Sequence, residues 1–292
     1  QNAFYLNKIP IYNTSHLFGF FPAFNADIIK DFSIYKGFIP AQYGGHLSSV
    51  LNIVSRQGNR KHFMARGGIN PVTGNLVVEG PIKKDTLSYM LSARASYSDW
   101  ILGRINDPVI SKSNASFNDV SGGLNYDIRK TQVSLFGYHS YDKFRLSDLN
   151  EYQYSNNGVS ATVGHTFGKS IRGEFSVIGS QYAFSTIDKQ DANKAYTHDY
   201  KIEHYEIRAD FNQAISEKNT LEYGIGTVLY KLDRGTLEPY GENSLRQKVE
   251  LGNEKALESS LYISDSYDVL PWLNLTVGGR FTMFTPMGPK TV

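Results

Sequence analysis

Cysteine is absent from the 292-residue sequence, which excludes disulfide bonds and thiolate metal sites. An excess of charge of either sign is absent too, because 30 basic residues stand against 28 acidic ones and the formal net charge is +2. Composition therefore gives no support for a nucleic-acid partner. No stretch approaches the run of about 18 apolar residues that a membrane-spanning helix requires.

Sequence signals of secretion and of catalysis are also missing. The first residues, Gln1–Leu6, show no basic region followed by an apolar run, so we expect the chain to be mature at most and to be a fragment. We find no Gly-x-Ser-x-Gly elbow, no P-loop and no paired catalytic carboxylates on a defined scaffold. The histidines lack metal-ligand spacing. The sequence therefore predicts no enzyme activity, no cofactor and no metal site.

The sequence does contain regular alternation of apolar and polar residues from about residue 61 onward. In residues 205–215 the odd-numbered side chains are mostly apolar, and the even-numbered ones are mostly charged or polar. A period of two places the two sets on opposite faces of a β-strand. The mean hydropathy of −0.36 suggests a soluble protein. A negative mean hydropathy is nevertheless compatible with a membrane β-barrel, because only alternate residues of its strands must be apolar.

The alternation predicts about eleven strands, joined by short turns on one side and by mostly longer loops on the other. The strands are predicted at 63–70, 75–82, 86–98, 118–128, 131–142, 153–168, 171–186, 201–215, 220–233, 252–269 and 272–285. Short turns are expected near residues 83–85, 129–130, 168–170, 216–219 and 270–271. Longer loops are expected at about 99–117, 143–152, 187–200 and 234–251, whereas 70–74 is short.

This asymmetry between turns and loops is typical of a transmembrane β-barrel of the bacterial outer membrane. Single-chain barrels of that kind have an even number of strands. An odd number of predicted strands therefore implies that further strands are missing. A half-barrel in lipid would leave backbone groups unpaired.

Residues 1–60 have a different texture, with short apolar runs broken by Gly, Pro and Asn. Residues 25–30 predict a short helix that Asn25 could cap. Residues 32–35 predict a strand, and Gly37 is suited to a turn with positive φ. Residues 43–45 predict a tight turn before an apolar strand at 47–55.

Four segments of this region carry a family resemblance, namely Phe4–Asn13, Ser15–Phe21, Phe24–Gly37 and Ile39–Gly58. They resemble the C-terminal part of the plug domain of TonB-dependent outer-membrane receptors, in the form common in Bacteroidota. The segment 61–82 and the segment Ser92–Tyr97 resemble the start of that family's barrel. The plug resemblance covers about a fifth of the chain, and the barrel resemblance beyond residue 98 is one of pattern only.

The resemblance implies an all-β membrane protein, an antiparallel transmembrane β-barrel with a small α+β plug domain in its lumen. Residues 1–60 would be the C-terminal part of the plug, and residues 61–292 would be the first half of the barrel, about 11 of 22 strands. The implied function is active uptake of an extracellular nutrient across the outer membrane. Siderophores, cobalamin, glycans and peptides are all substrates in the family, and the sequence does not choose among them.

The partners implied are outer-membrane lipids, a TonB-type energy-coupling protein in the periplasm, and a surface lipoprotein cap or other outer-membrane complex subunits. A second hypothesis is a receptor-like barrel that does not transport and serves as a structural subunit of an assembly or secretion complex. A third is a soluble β-protein adhesin, whose apolar faces would pack on another sheet.

Two sets of residues are candidates for binding. The first is an aromatic group at the plug apex, which could contact a ligand, consisting of His16, Phe18, Phe20 and Phe21. Packing within the plug and against the barrel is the favoured alternative for this set, since aromatic side chains most often bury area. The second set faces the lumen by parity and could line a substrate path or hold the plug, consisting of Arg94, Glu206, Arg208, Asp210 and Arg280.

An ion-paired or solvated wall is the favoured alternative for any one residue of the second set. The glycines of Gly224-Ile225-Gly226 lie inside a predicted strand, where missing side chains could leave room for the plug.

Overall fold

The computed structural model describes residues 2–45, 48–147 and 149–288, apart from the side chain of Phe18. No described helix is long and apolar enough to cross a membrane. The helical elements are the α-helix α1 (Asp99–Leu102) and the 3-10 helices Leu17–Gly19, Ala26–Ile28 and Ile110–Lys112. The strands before residue 60 are short: β1 (Asn2–Leu6), β2 (Ile9–Pro10), β3 (Ser15–His16), β4 (Phe21–Pro22), β5 (Ile29–Lys36) and β6 (Ser49–Ser55).

The strands after residue 60 form one twelve-stranded antiparallel sheet, here called the wall. Neighbours along the chain are neighbours in the sheet, and β16 is a short addition beside β15. All eleven predicted strands are present in the predicted order. The bounds are β7 (Met64–Ile69), β8 (Thr73–Lys83), β9 (Leu87–Ser96), β10 (Asn114–Ile128), β11 (Thr131–Leu146), β12 (Asn150–Phe167), β13 (Ile171–Asp188), β14 (Tyr196–Ser216), β15 (Asn219–Pro239), β16 (Val249–Glu250), β17 (Asn253–Leu270) and β18 (Leu273–Pro286).

The short turns lie at one end of the wall, here called the turn end, and the other end is the loop end. Asp85, Arg129 and Gly168 adopt φ values of 59°, 53° and 60° in three of the predicted short turns. Positive φ in such tight connections matches the twist of the strands they join. The strands extend further toward the loop end than predicted. Only residues 147–149 separate β11 from β12, so the long loop expected at 143–152 is wrong.

The wall separates its side chains into two faces. The face that contacts residues 2–60, here the N-terminal segment, is called the inner face, and the other is the outer face. The outer face carries large apolar side chains that remain exposed, and Ile207 on β14 is 67% exposed. Further members of this outer set are Leu91, Val120, Val159, Val177, Ile225, Leu261, Ile263, Val277 and Phe281. Packing on another sheet would bury these side chains, and no described strand packs on them, so the described residues do not show the contacts that the adhesin hypothesis predicts.

The N-terminal segment contains a four-stranded sheet with the order β2-β1-β6-β5, in which β1 and β6 run parallel. Asn25 caps the 3-10 helix that follows it, because its side chain accepts a hydrogen bond from the Asp27 backbone N–H. The predicted cap is therefore present, although the helix is shorter than expected and β5 begins at Ile29. Gly37 has the predicted positive φ, at 86°.

The N-terminal segment and the wall share one apolar core. Side chains from the segment, including Leu6, Ile9 and Ile28, are fully buried against side chains from the inner face of the wall. The wall contributes Val77, Met90, Phe136, Tyr138 and Ile178 to this cluster. Gly158 on β12 makes the approach possible, because a Cβ atom there would collide with Ile9.

This close approach can be tested by cross-linking. A Cβ atom built on Gly158 lies 3.4 Å from Cβ of Ile9, close to the separation of about 3.5–4.5 Å found in disulfides. Ile9→Cys combined with Gly158→Cys is therefore expected to form a disulfide in the folded protein, read from gel mobility with and without reductant. The chain has no cysteine that could compete.

The matched control is Ile9→Cys with Gly137→Cys. Gly137 lies on the adjacent strand β11, directly opposite the outer-face residue Val159. Its side chain would point away from the N-terminal segment, so this pair should not cross-link. Equal cross-linking of both pairs, or of neither, would contradict the described docking.

The exposed apolar face predicts the effect of an added charge. Ile207→Arg is expected to lower the free energy of unfolding in a lipid bilayer by about 2–4 kcal/mol, because an arginine near the midplane must be desolvated. Leu245→Arg is the control, since Leu245 lies in the loop between β15 and β16 and is 81% exposed. Equal stability of both variants in a urea titration would show that the outer face does not meet lipid.

Candidate functional site

The contacts between the N-terminal segment and the inner face of the wall form the candidate site. The most deeply buried of them surrounds His16, which has no exposed surface. Its Nδ1 lies 2.6 Å from Oδ2 of Asp142 on β11, and its Nε2 lies 3.5 Å from Oδ2 of Asp119 on β10. The imidazole stacks on Phe117 with ring centroids 4.2 Å apart. Arg94 on β9 binds the same Asp119 carboxylate through Nε at 2.7 Å.

The charges of this cluster balance only when His16 is protonated. Asp119 and Asp142 then face one guanidinium and one imidazolium, all buried or nearly so. Burial alone would lower the pKa of His16, but the neighbouring Asp119 and Asp142 outweigh it and raise that pKa above 6.5. A buried charge is stable only when it is paired. The cluster therefore holds the N-terminal segment against β10 and β11 by a charged contact.

A second charged contact is centred on Lys8 of the N-terminal segment. Lys8 Nζ lies 3.2 Å from Oδ2 of Asp210 on β14 and also forms an ion pair with Glu174 on β13. Asp210 is further bound by Arg208 Nη2 at 2.8 Å and accepts a hydrogen bond from the Tyr262 hydroxyl at 2.8 Å. Lys8 occupies the turn between β1 and β2 with φ of 69°, a left-handed conformation uncommon for a residue with a side chain.

A third contact lies at the far edge of the wall. Arg280 on β18 donates through Nη1 to the backbone carbonyls of Ala41 and Gln42, at 3.3 and 3.2 Å. Its Nη2 donates to the Ser260 hydroxyl at 2.7 Å. Gly44 lies beneath this guanidinium, and a Cβ atom at that position would collide with it.

Contacts at the opposite edge show that the N-terminal segment reaches both edges of the wall, β7 and β18. Arg66 on β7 donates through Nη2 to the Asp27 carbonyl at 3.1 Å, while its Nη1 pairs with Glu79 at 2.9 Å. Asn75 on β8 hydrogen-bonds the Asp27 carboxylate. A single small segment can touch β7 and β18 at once only if the wall curves around it.

The five wall residues that parity predicted to face the lumen fall into two groups. Arg94, Asp210 and Arg280 contact the N-terminal segment directly, and Arg94 also donates through Nη2 to the Pro22 carbonyl at 2.6 Å. Glu206 and Arg208 bind other wall residues. A role in lining a substrate path stays a prediction for all five.

The members of the predicted aromatic group at the apex differ in burial. His16 is buried in the charged cluster, whereas Phe20 is 83% exposed. Phe21 is half-buried and packs on Phe117, with ring centroids 5.4 Å apart. The side chain of Phe18 lies outside the described residues. Ligand contact by this group stays a prediction, and Phe20 is the described member with the surface for it.

One sequence expectation about the wall is wrong. A Cβ atom on Gly224 would meet the Tyr262 ring at 2.7 Å and the Ala209 carbonyl at 2.7 Å. The missing side chain therefore leaves room for a neighbouring wall residue rather than for the N-terminal segment. Gly158 has the role that was expected of Gly224.

Sequence reasoning missed Asp119, Asp142 and Lys8. The alternation in β10 and β11 places both aspartates on the polar face, but it does not show that they meet the same histidine. That pairing joins residues more than one hundred positions apart. Among the described residues, no group of three or more His, Asp or Glu side chains is arranged to hold a metal ion.

No protein-family model and no curated protein matches the chain. Solved structures do match. The ferripyoverdine receptor of the Pseudomonas aeruginosa outer membrane has a TM-score of 0.72 at 13% identity, over 99% of this chain and 46% of the receptor. The siderophore receptor PirA from Acinetobacter baumannii has a TM-score of 0.69 at 14% identity, over 97% and 49%. The ferric-catecholate import receptor Fiu from E. coli K12 has a TM-score of 0.67 at 12% identity, over 97% and 53%.

The chain therefore has the antiparallel β-barrel fold of these structures, and it spans about half the length of the solved structures that it matches. At these identities the likeness concerns the fold alone. The predicted all-β class with an antiparallel barrel sheet is confirmed, and the plug domain stays a prediction.

The charged cluster around His16 predicts a pH dependence. Because the pKa of His16 is raised in the folded state, its stabilisation is complete below about pH 6.5 and is lost as the pH rises through the raised value. Hydrogen exchange of residues 10–24, corrected for the intrinsic rate, should therefore become faster above pH 6.5. His16→Ala should remove the pH dependence and destabilise this contact by about 3 kcal/mol. A variant that keeps the native protection at every pH would rule out a charged His16.

Proposed function

We propose that the chain is the C-terminal part of the plug (residues 1–60) and the first half of the barrel (residues 61–292) of a TonB-dependent outer-membrane transporter. The transporter takes up an extracellular nutrient and is driven by a TonB-type protein in the periplasm. The observation that carries the proposal is the filling of the curved inner face by the N-terminal segment, through charged contacts from β7 to β18.

The location in the outer membrane is supported by the two faces of the wall. The outer face exposes apolar side chains over most of the strands, as a lipid-facing surface requires. The inner face is polar and occupied. The matched structures include a receptor of the outer membrane and siderophore receptors, and the resemblance of residues 4–58 to the plug points the same way.

The contacts between the N-terminal segment and the wall suit a plug that is held in place and is partly rearranged during transport. Moving all of residues 2–60 would expose the shared apolar core, including Leu6 and Ile9. Rearranging only residues 41–42 would exchange their hydrogen bonds with Arg280 for bonds to water. Lys8 and His16 are fixed more firmly, because Lys8 lies between the core residues Leu6 and Ile9 and His16 is fully buried. Each bond to Arg280 contributes a modest net free energy, about 0.5–3 kcal/mol for hydrogen bonds including those to charged groups. A pulling force can therefore open a path locally before the core is disturbed.

The test is uptake in the native host. Cells that express the full-length gene are compared with a deletion strain for uptake of labelled iron chelates, cobalamin, glycans and peptides. The proposal predicts gene-dependent uptake of at least one of them, abolished by a protonophore and by deletion of the TonB-type gene.

Uptake that survives both treatments would contradict energy coupling. The structural-subunit hypothesis predicts a different outcome, namely no gene-dependent uptake but loss of an outer-membrane complex in the deletion strain. A surface lipoprotein cap would be recovered with the full-length protein under either hypothesis, so its presence does not decide between them.

A further inference from the structure

Six aromatic rings form a continuous row, here called the aromatic ladder, on the inner face near the loop end. Successive ring centroids are 6.4, 6.5, 5.1, 6.0 and 6.2 Å apart. In order, the members are Phe144, Tyr152, Phe184, Tyr200, Tyr182 and Tyr12. Five of the rings belong to β11–β14, and Tyr12 belongs to the N-terminal segment.

The strand register places the five wall rings on the inner face. Phe144 is two residues from Asp142, the partner of His16, and it pairs with Tyr152 across β11 and β12. Tyr182 is paired with Asn156, which binds the N-terminal segment. Residues two apart on a strand share a face, so the rings look into the same space that the N-terminal segment occupies.

The ladder is not part of the protein core. All six rings are only half-buried or more exposed, and Tyr12 is 39% exposed. Other inner-face aromatics are buried, namely Phe136 and Tyr138 closer to the turn end and Phe117 on β10. The ladder rings therefore contact each other along a surface that is left open above the shared core. Rings arranged in this way offer flat apolar area to a ligand.

Hydrogen bonds between the wall and the N-terminal segment hold the last two rings of the ladder, Tyr182 and Tyr12, next to each other. Asn156 Nδ2 donates to the Asn13 carbonyl at 3.0 Å, and the Asn13 backbone N–H donates to Asn156 Oδ1 at 3.3 Å. These bonds hold Tyr12 beside Tyr182. A ligand that lies along the ladder would therefore touch both the wall and the N-terminal segment.

The charge around the ladder is neutral to acidic. On β11–β14, none of the described inner-face residues between Asp142 and the loop end is a lysine or an arginine. Asp188 and His198 are the ionisable residues there besides tyrosine. The strands themselves therefore offer an anionic ligand no opposite charge, and the negative faces of the rings would repel it. The cation Arg246, which lies over the Tyr196 ring, belongs to the loop between β15 and β16.

Polar atoms without partners lie next to the rings on the same face. Asn150 Oδ1 and Ser180 Oγ are buried and have no hydrogen-bond partner among the described residues. Asn150 is two residues from Tyr152 and Ser180 is two residues from Tyr182, so each shares the face of a ladder ring. A buried polar atom without a partner is costly, and a ligand hydroxyl would satisfy each of them.

We propose that the aromatic ladder binds a neutral carbohydrate, whose sugar rings stack on the aromatic faces while their hydroxyls bond to the tyrosine, asparagine and serine groups beside them. This inference rests on the proposed function, because it takes the loop end as the side from which the nutrient enters. A sugar ring has flat faces of C–H groups and hydroxyls at its edges. The row of rings and the unpartnered polar atoms match these two features.

The test is equilibrium binding to the purified full-length protein in detergent. The probes are an array of neutral oligosaccharides and, as the anionic rival, ferric enterobactin. At least one oligosaccharide is expected to bind. Phe184→Ala and Tyr200→Ala should each weaken its binding about tenfold, because each removes a stacked ring. Tyr200→Phe should keep the affinity within about twofold to threefold of native, since it keeps the ring.

Tyr205→Ala is the matched control, because Tyr205 lies on the same strand and faces outward. It should leave binding unchanged, and native gel mobility before heating confirms that each variant is folded. Binding of no oligosaccharide, binding that Phe184→Ala leaves intact, or ladder-dependent binding of ferric enterobactin alone would each overturn the inference.

The outcomes also separate this inference from the proposed function. Binding in detergent needs no proton gradient and no coupling protein. Ladder-dependent sugar binding without gene-dependent uptake would refute the transporter and leave the sugar site standing. Coupled uptake of another nutrient without sugar binding would support the transporter and refute the sugar site.

Discussion

Backbone pairing is the constraint from which the rest of the structure follows. Each strand of the wall is hydrogen-bonded to its neighbours from β7 to β18, and this pairing fixes which side chains share a face. The outer face then carries exposed apolar side chains, and the inner face carries charges that water alone does not solvate. Asp119 and Asp142 on that inner face are nearly inaccessible, so they require cationic partners. The N-terminal segment and Arg94 supply them.

The interface between segment and wall therefore combines two kinds of contact with different consequences. The shared apolar core, built on side chains such as Leu6 and Ile9, contributes free energy in proportion to buried area and has no directional requirement. The charged contacts of Lys8, His16 and Arg280 add little net free energy each, but they fix position and are lost when one partner moves. Among these contacts, the one between Arg280 and residues 41–42 lies outside the shared core and can be rearranged without exposing it.

The sequence predicted the strands well, because a period of two is a local signal that survives in every strand of the wall. It predicted the cap at Asn25 and the positive φ of Gly37 for the same reason, since both depend on neighbouring residues. It failed where distant residues meet. The pairing of His16 with Asp142, and the choice of Gly158 rather than Gly224 to admit the N-terminal segment, depend on how the wall curves.

The central proposal is that one face of the wall meets lipid and the other encloses the N-terminal segment. Spin labels attached one at a time to residues 205–211 of β14, in the full-length protein in bilayers, test it most directly, and residues 1–292 contain no cysteine that would take a label. We expect high oxygen accessibility at odd-numbered positions and shielding at even-numbered ones. Uniform accessibility along the strand, or odd-numbered positions reached by a water-soluble relaxation agent instead of oxygen, would contradict it.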